Sequence, residues 1–220
     1  MINFLRKNRS GLPECLAEAD LVVCDLDACL ETFPLRTGPI RDELTSYFSW
    51  KHNVNLIFDP LYPAIRRLEA RLGAQAMAEA MQVVGRWEAR AMPYAEPRVA
   101  MIRLLRQVAA SGKLVTIVSE KMQYTATRFV RQFGLSATVD AIVGGDNVKQ
   151  GRPNPETLLV AMGATGFSPR ETVYLASRQS DYAMGKKAGV PTYSYEYALS
   201  AGRPLPSHMT LLEEMESATG

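Results

Sequence analysis

The run Leu21-Val22-Val23-Cys24, which ends on Asp25-Leu26-Asp27, constrains this chain more than any other feature. Four consecutive apolar residues without polar alternation demand burial on both faces, the situation of an inner strand in a parallel sheet covered by helices on each side. The carboxylates then fall at the C-terminal end of that strand, where open α/β sheets leave a crevice for ligands. Side chains two positions apart on extended backbone share a face, so Asp25 and Asp27 project in the same general direction. One can attack an electrophile while the other handles the proton. Taken alone, the pattern also fits a helix cap, a calcium loop or a solvated turn.

The same grammar recurs along the chain. Leu114–Val118 runs into Ser119, Val173–Leu175 runs into Ala176 and Ser177, and Ala141–Val143 and Thr192–Tyr195 supply two shorter strands. Helical periodicity fills the gaps: Val99, Ile102, Leu105 and Val108 share one face, as do Met122, Ala126, Phe129, Val130 and Phe133. Gly134 and Gly189 stand where left-handed C-cap residues are wanted, and Asn154-Pro155 and Ser168-Pro169 with Glu171 read as helix starts. Strands alternating with helices predict an α/β fold, a Rossmann-like parallel sheet with helices on both faces.

Between the first two strands lies a stretch with no convincing buried strand. Helical segments around Arg41–Phe48, Pro63–Leu72 and Ala74–Arg90 predict an inserted α-helical cap over 31–92. Pro93 and Pro97 mark the return to a core built from 1–30 and 93–220. Tyr47, Phe48, Trp50 and Trp87 of this region either line a substrate pocket or fill the cap's own core, and amphipathic helices favour the second use.

Bulk properties narrow the partners. A net charge of +2 on 220 residues, with no run of five like charges, argues against nucleic acid or membrane attraction. The three cysteines, Cys15, Cys24 and Cys29, are odd in number and lack CxxC spacing, which predicts reduced, buried thiols. Met1–Arg9 carries Arg6, Lys7 and Arg9 without a signal-type apolar core, and no run approaches the roughly 18 apolar residues of a membrane span. The expected location is cytoplasmic. His52 and His208 have no metal-ligand partner at useful spacing.

The ordered set Asp25-Leu26-Asp27, Ser119, Gly151-Arg152-Pro153-Asn154-Pro155 and Asp181 resembles the four motifs of the haloacid dehalogenase superfamily. Asp140-Ala141-Ile142-Val143-Gly144-Gly145-Asp146 and Ala188-Gly189-Val190-Pro191 are similar to its phosphoglycolate phosphatase-like branch. The resemblance spans about Leu21 to Tyr195. It implies hydrolysis of a small phosphomonoester through an aspartyl phosphate, with Asp25 as nucleophile and Asp27 as acid/base. It further implies a magnesium ion held by Asp25, Asp181 and the backbone carbonyl of Asp27, and a phosphoryl group held by Ser119 and by Arg152 or Lys149. The implied partner is a small phosphorylated metabolite, and the chain a monomer or homodimer.

Departures from the motifs carry as much information as the matches. Ala28-Cys29 replaces glycine followed by threonine or valine, Glu120 follows Ser119 where asparagine is common, and Arg152 stands in place of a lysine. In Ala176-Ser177-Arg178-Gln179-Ser180-Asp181, Ser177 replaces the first aspartate of the fourth motif. Magnesium favours carboxylate and water oxygens, so losing an anionic ligand weakens the expected metal site. Either Asp181 compensates, or Arg178 brings positive charge to the metal's place, or Arg178 is simply a surface arginine. Several positions keep a structural alternative: Ser119 as the cap of the helix after Lys121, Arg152 and Lys149 as solvated loop charges, and Glu120 turned away from phosphate or meeting Lys121. A second functional reading is a catalytically weakened relative that binds a phosphorylated ligand or a protein partner. A 2-haloacid dehalogenase, whose aspartate attacks carbon, is a third, and Asp27 counts against it.

Overall fold

The computed structural model describes residues 12–27 and 29–200; the readings made on Met1–Arg9, Ala28 and His208 lie outside the described residues. A short helix α1 (Glu14–Ala17) precedes β1 (Leu21–Asp25), every residue of which is buried. Alternation along β1 explains that burial. Val22 and Cys24 enter one core with Leu105, Val115, Ile117, Phe129 and Leu175, while Leu21 and Val23 enter another with Val118, Leu158, Tyr174 and Met184. Each fully buried aliphatic side chain contributes about 1.5–3 kcal/mol, so one strand anchors both helical layers.

The chain then runs through β2 (Glu31–Thr32), α2 (Thr37–His52), α3 (Leu61–Leu72), α4 (Ala74–Ala91) and β3 (Glu96–Pro97). It returns to the sheet through α5 (Val99–Ala110), β4 (Leu114–Val118), α6 (Gln123–Gln132) and β5 (Ala141–Val143). The last elements are α7 (Glu156–Thr165), β6 (Thr172–Ala176), α8 (Gln179–Ala188), β7 (Thr192–Ser194) and α9 (Tyr195–Leu199). Five parallel strands lie in the order β5-β4-β1-β6-β7, as the α/β expectation requires. With β1 in the middle, the loops after β1, β4 and β6 meet at one edge.

Local punctuation follows the sequence closely. Gly134 and Gly189 take φ of +64° and +69°, the left-handed region in which a Cβ is strained. Asn154 Oδ1 accepts the Glu156 N–H at 3.0 Å and so starts α7. Ser168-Pro169 with Glu171 forms its reciprocal cap, with Ser168 N donating to Glu171 Oε2 at 2.9 Å, but the result is one 3-10 turn leading into β6 and not a helix. Val99, expected on the inner face of α5, is exposed. Cys24 and Cys29 are buried free thiols and Cys15 is partly buried, as expected. No described helix is long and apolar enough to cross a membrane.

The helical insertion has its own core, in which Ile40, Leu44 and Phe48 of α2 meet Ile65 and Leu68 of α3 and Val83 and Val84 of α4. Phe48 therefore packs, and Trp87 donates to Glu43 Oε2 at 2.7 Å, whereas Trp50 is 81% exposed and serves neither pocket nor core. An antiparallel ribbon that sequence reading did not anticipate closes the neck of the insertion: Glu31 pairs with Pro97 and Thr32 with Glu96. Two residues per strand are too few to show alternation.

A single carboxylate ties the insertion to the sheet. Glu88 of α4, fully buried, accepts from Tyr62 Oη at 2.9 Å, from Met122 N at 3.1 Å and from Thr125 Oγ1 at 2.6 Å, the last two at the start of α6. Burial outweighs these bonds and pushes the carboxyl up to about 7. The folded chain thus holds a proton that the unfolded chain releases near 4.5. Stability from this group is fully present below that value and is lost as pH rises through about 7, an effect of about 3 kcal/mol. Urea unfolding across this range should show Glu88→Gln with a flatter pH dependence than the parent chain; identical slopes would remove Glu88 as the cause.

Candidate active site

Asp25 ends β1 and Asp27 lies in the turn after it, where Leu26 N donates to Val118 O at 2.8 Å and keeps the turn in register with β4. The residues after β4 close on Asp27. Its Oδ2 accepts from Ser119 Oγ at 3.0 Å and from Glu120 N at 2.8 Å, and its Oδ1 meets the Lys121 ammonium. Lys121 Nζ also lies 2.7 Å from Glu31 Oε1 and 4.6 Å from the centre of the Phe33 ring. Ser119 Oγ accepts from Lys121 N at 3.0 Å, so it orders this loop and does not cap α6, whose first backbone donor, Gln123 N, is taken by Asp146 Oδ1 at 2.6 Å. Gly145 N donates to Lys121 O at 2.7 Å, and any side chain at Gly145 would collide with the Glu120 carbonyl.

Arg152 arrives from the loop between β5 and α7 with a buried side chain and is not a solvated loop charge. Its Nη2 contacts Asp25 Oδ1 and lies 3.8 Å from Asp27 Oδ2, while Nε is 2.9 Å from Asp181 Oδ1. Asp181, in the first turn of α8, receives Arg178 N at 3.0 Å and Ser177 N at 3.4 Å on its other oxygen. Asp25, Asp27, Ser119, Arg152 and Asp181 are therefore brought together. Lys149 is not: it is exposed, and its backbone N donates to Glu156 Oε1 at 3.0 Å.

The electrostatics divide the acids. Burial, with Asp27 and Asp181 nearby, pushes Asp25 up against the opposing pull of Arg152. Burial would also raise Asp27, but Lys121 and then Arg152 outweigh it and hold that carboxyl well below the usual range. Glu31 is pushed up to about 7, burial there exceeding the pull of Lys121. Asp27 is thus favoured as a carboxylate, whereas Asp25 and Glu31 hold protons more readily.

A cleft of ≈ 180 Å³ opens over Asp27, with Phe33, Leu35 and Tyr62 on the insertion side and Lys121 and Arg178 on the sheet side. Glu120, also on its wall, does not meet Lys121; it faces Arg66 Nη1 at 3.5 Å and Arg178 Nη1 at 3.7 Å. None of the four aromatics singled out from the sequence lines this cleft. Lys121 and Glu31 were missed as site residues, although Lys121 lies two positions beyond Ser119 on the same loop. Glu31 is a lone acid beside apolar Cys29-Leu30, a faint signal of a buried charge. Arg66 and Tyr62 sit on a helix and had no signal.

This arrangement differs from the expected magnesium set. One guanidinium occupies the space shared by Asp25, Asp27 and Asp181, Ser177 brings no anionic oxygen, and its hydroxyl lies beside the Cys29 thiol. Among the described residues no group of three or more acidic, histidine or cysteine side chains could hold a metal ion. As arranged, these residues do not fit an octahedral all-oxygen ion. Arg178, half exposed and paired with Glu120, is not the cation among the carboxylates; that cation is Arg152.

A five-stranded parallel sheet with acids at the end of its central strand and a helical insertion above them is a Rossmann-like α/β architecture. The sequence model of the haloacid dehalogenase-like hydrolases matches residues 48–194, and the chain belongs to that family. The pyrophosphatase PpaX of Halalkalibacterium halodurans is 28% identical over 187 residues, which cover 83% of this chain and 86% of that protein. A phosphoglycolate phosphatase of Yersinia pestis is 28% identical over 106 residues, 46% of each chain. Among solved structures, CbbY from Rhodobacter sphaeroides in complex with phosphate gives a TM-score of 0.56 at 17% identity, covering 79% of this chain and 84% of that one. A subfamily IA hydrolase of the superfamily from Geobacter sulfurreducens gives 0.53 at 16%, covering 89% and 96%. These structural likenesses carry the fold.

The Lys121 contacts make a stability test of the site geometry. Lys121→Met leaves Asp27 and Glu31 buried without their cation, which should cost about 3 kcal/mol or more. Adding Asp27→Asn should recover part of that loss. Urea denaturation of the two variants reads both effects, and additive losses would contradict the pairing.

Proposed function

We propose that the chain hydrolyses a small phosphomonoester, with Asp25 as nucleophile and Asp27 as its proton-handling partner. The observation that carries this reading is the pair of carboxylates at the end of the central strand, one of which, Asp25, keeps a buried oxygen, Oδ2, without a hydrogen-bond partner. That oxygen attacks phosphorus as the bond to the leaving oxygen breaks; the leaving oxygen takes a proton relayed from solvent through Asp27, and an aspartyl phosphate forms. Water then attacks the phosphorus, the bond from phosphorus to Asp25 Oδ2 breaks, and the water's proton returns to solvent through Asp27, which Lys121 and Ser119 hold in place, releasing phosphate and restoring both carboxylates. Arg152 and Lys121, both buried beside the acids, offset the negative charge of the phosphoryl group. Similarity to a pyrophosphatase and a phosphoglycolate phosphatase supports the phosphoryl chemistry, and the modest cleft supports a small substrate. In this reading, residues 31–92 act as a cap over the core of 1–30 and 93–220 and set substrate choice.

One observation favours a second reading, a weakened relative that binds a phosphorylated ligand or a protein partner. Asp25 is fully buried, is pushed toward its protonated form and is already in contact with Arg152, all of which slow nucleophilic attack.

A panel of phosphorylated metabolites, assayed for phosphate release with Asp25→Asn as control, separates the two. Turnover should fall at least about a thousandfold in Asp25→Asn, and acid-quenched enzyme should carry labelled phosphate on Asp25. Ligand-induced thermal shifts without a phosphoenzyme would instead select the binding reading.

A further inference from the structure

The site's cation is part of the chain. A guanidinium carries five donors in a fixed fork, and that of Arg152 reaches acids from two separate elements: Asp25 and Asp27 after β1, and Asp181 on α8. Its side chain is 4% exposed, and its remaining terminal nitrogen, Nη1, has no hydrogen-bond partner. The fully buried Tyr174 lies in the same field. Both oxygens of Asp181 are engaged, Oδ1 by this guanidinium and Oδ2 by the backbone of Ser177 and Arg178, so Asp25 Oδ2 is the one oxygen of these two acids left for a divalent ion. To admit the ion, Arg152 would have to leave its partners while still buried, and an unpaired buried charge is strongly destabilising. Ser177 points the same way, because the position contributes no acid to offset a second cation.

We propose that Arg152 is the resident cation of the Asp25–Asp27–Asp181 cluster, so that this site works without a divalent metal. The proposal stands independently of the phosphohydrolase reading.

The experiment is calorimetric titration of chelator-treated, full-length protein with magnesium chloride, with thermal melting in chelator and in millimolar magnesium. The parent chain should give no saturable heat and no change in melting temperature. Arg152→Met, which vacates the space between the carboxylates, should gain a magnesium-dependent rise in melting temperature and bind the ion on the order of tenfold tighter or more. Saturable sub-millimolar magnesium binding by the parent chain would overturn the proposal, as would magnesium binding by Arg152→Met no tighter than by the parent. Should Arg152→Met fail to fold, the parent titration alone decides. A blank parent titration without turnover on any phosphomonoester would sink the hydrolase reading and leave Arg152 as the resident cation. Turnover that requires magnesium would do the reverse.

Discussion

Four carboxylates, those of Asp25, Asp27, Glu31 and Asp181, are buried at the polar edge of an otherwise apolar sheet. Each ion removed from water carries a penalty of several kcal/mol, so the cluster persists only with cations buried beside it and some protons retained. Lys121 serves Asp27 and Glu31, and Arg152 serves Asp25 and Asp181 and reaches the edge of Asp27. The opposite responses of the acids follow directly. Asp27 faces both cations and stays charged, while Asp25 and Glu31 each share one cation with another acid and are driven toward their neutral forms. The same pairs join β1 to the loop after β4, the loop before α7 and the first turn of α8, so loop positions and charge states are set together.

The insertion is coupled to this cluster through few groups. Glu31 belongs at once to the neck ribbon and to the Lys121 ion pairs, so the point where the insertion leaves the core is also a wall of the site. Tyr62 plays the corresponding part on the far side, lining the cleft while its hydroxyl holds Glu88, which in turn holds the start of α6. On the insertion side the cleft is therefore bounded by Phe33, Leu35 and Tyr62, of which Leu35 and Tyr62 also pack against the insertion's apolar core, and the buried carboxylates Glu31 and Glu88 anchor that wall.

Much of this was legible in the sequence wherever the signal is local. Continuous apolar runs gave the strands because burial on both faces leaves no room for polar alternation. Gly134, Gly189 and Asn154 marked helix ends because left-handed backbone and free N–H groups restrict which residues serve there. Asp25, Asp27, Ser119, Arg152 and Asp181 were identified by their resemblance, in order along the chain, to the motifs of the haloacid dehalogenase superfamily. Partners were not legible. Lys121 was weighed only against Glu120, whereas in the fold it turns to Asp27 and Glu31, and Glu120 meets Arg66 from a helix more than 50 residues earlier. Arg178 was the candidate for the metal's place and Arg152 for the phosphoryl group, and it is the path of the loop before α7 that brings Arg152 among the carboxylates instead. A charge is written in the sequence, but its counter-ion is a property of the folded chain.

Read one at a time, Glu120, Arg152 and Ser177 each look like damage to a phosphate site. Together they conserve charge. Ser177 removes a negative charge from a position beside Asp181, and Arg152 spans the gap to Asp181 with a planar head that reaches farther than an ammonium and forms contacts on two edges. Glu120 adds a negative charge to the wall of the cleft, and Arg66 and Arg178 flank it at 3.5 and 3.7 Å. A chain losing its site by drift would leave such charges uncompensated at the cleft wall or buried without partners, and burial makes each of those outcomes costly. The paired charges instead describe a carboxylate site in which the acids of the central strand keep their places and Arg152, where a lysine is usual, is the cation that joins Asp25 to Asp181.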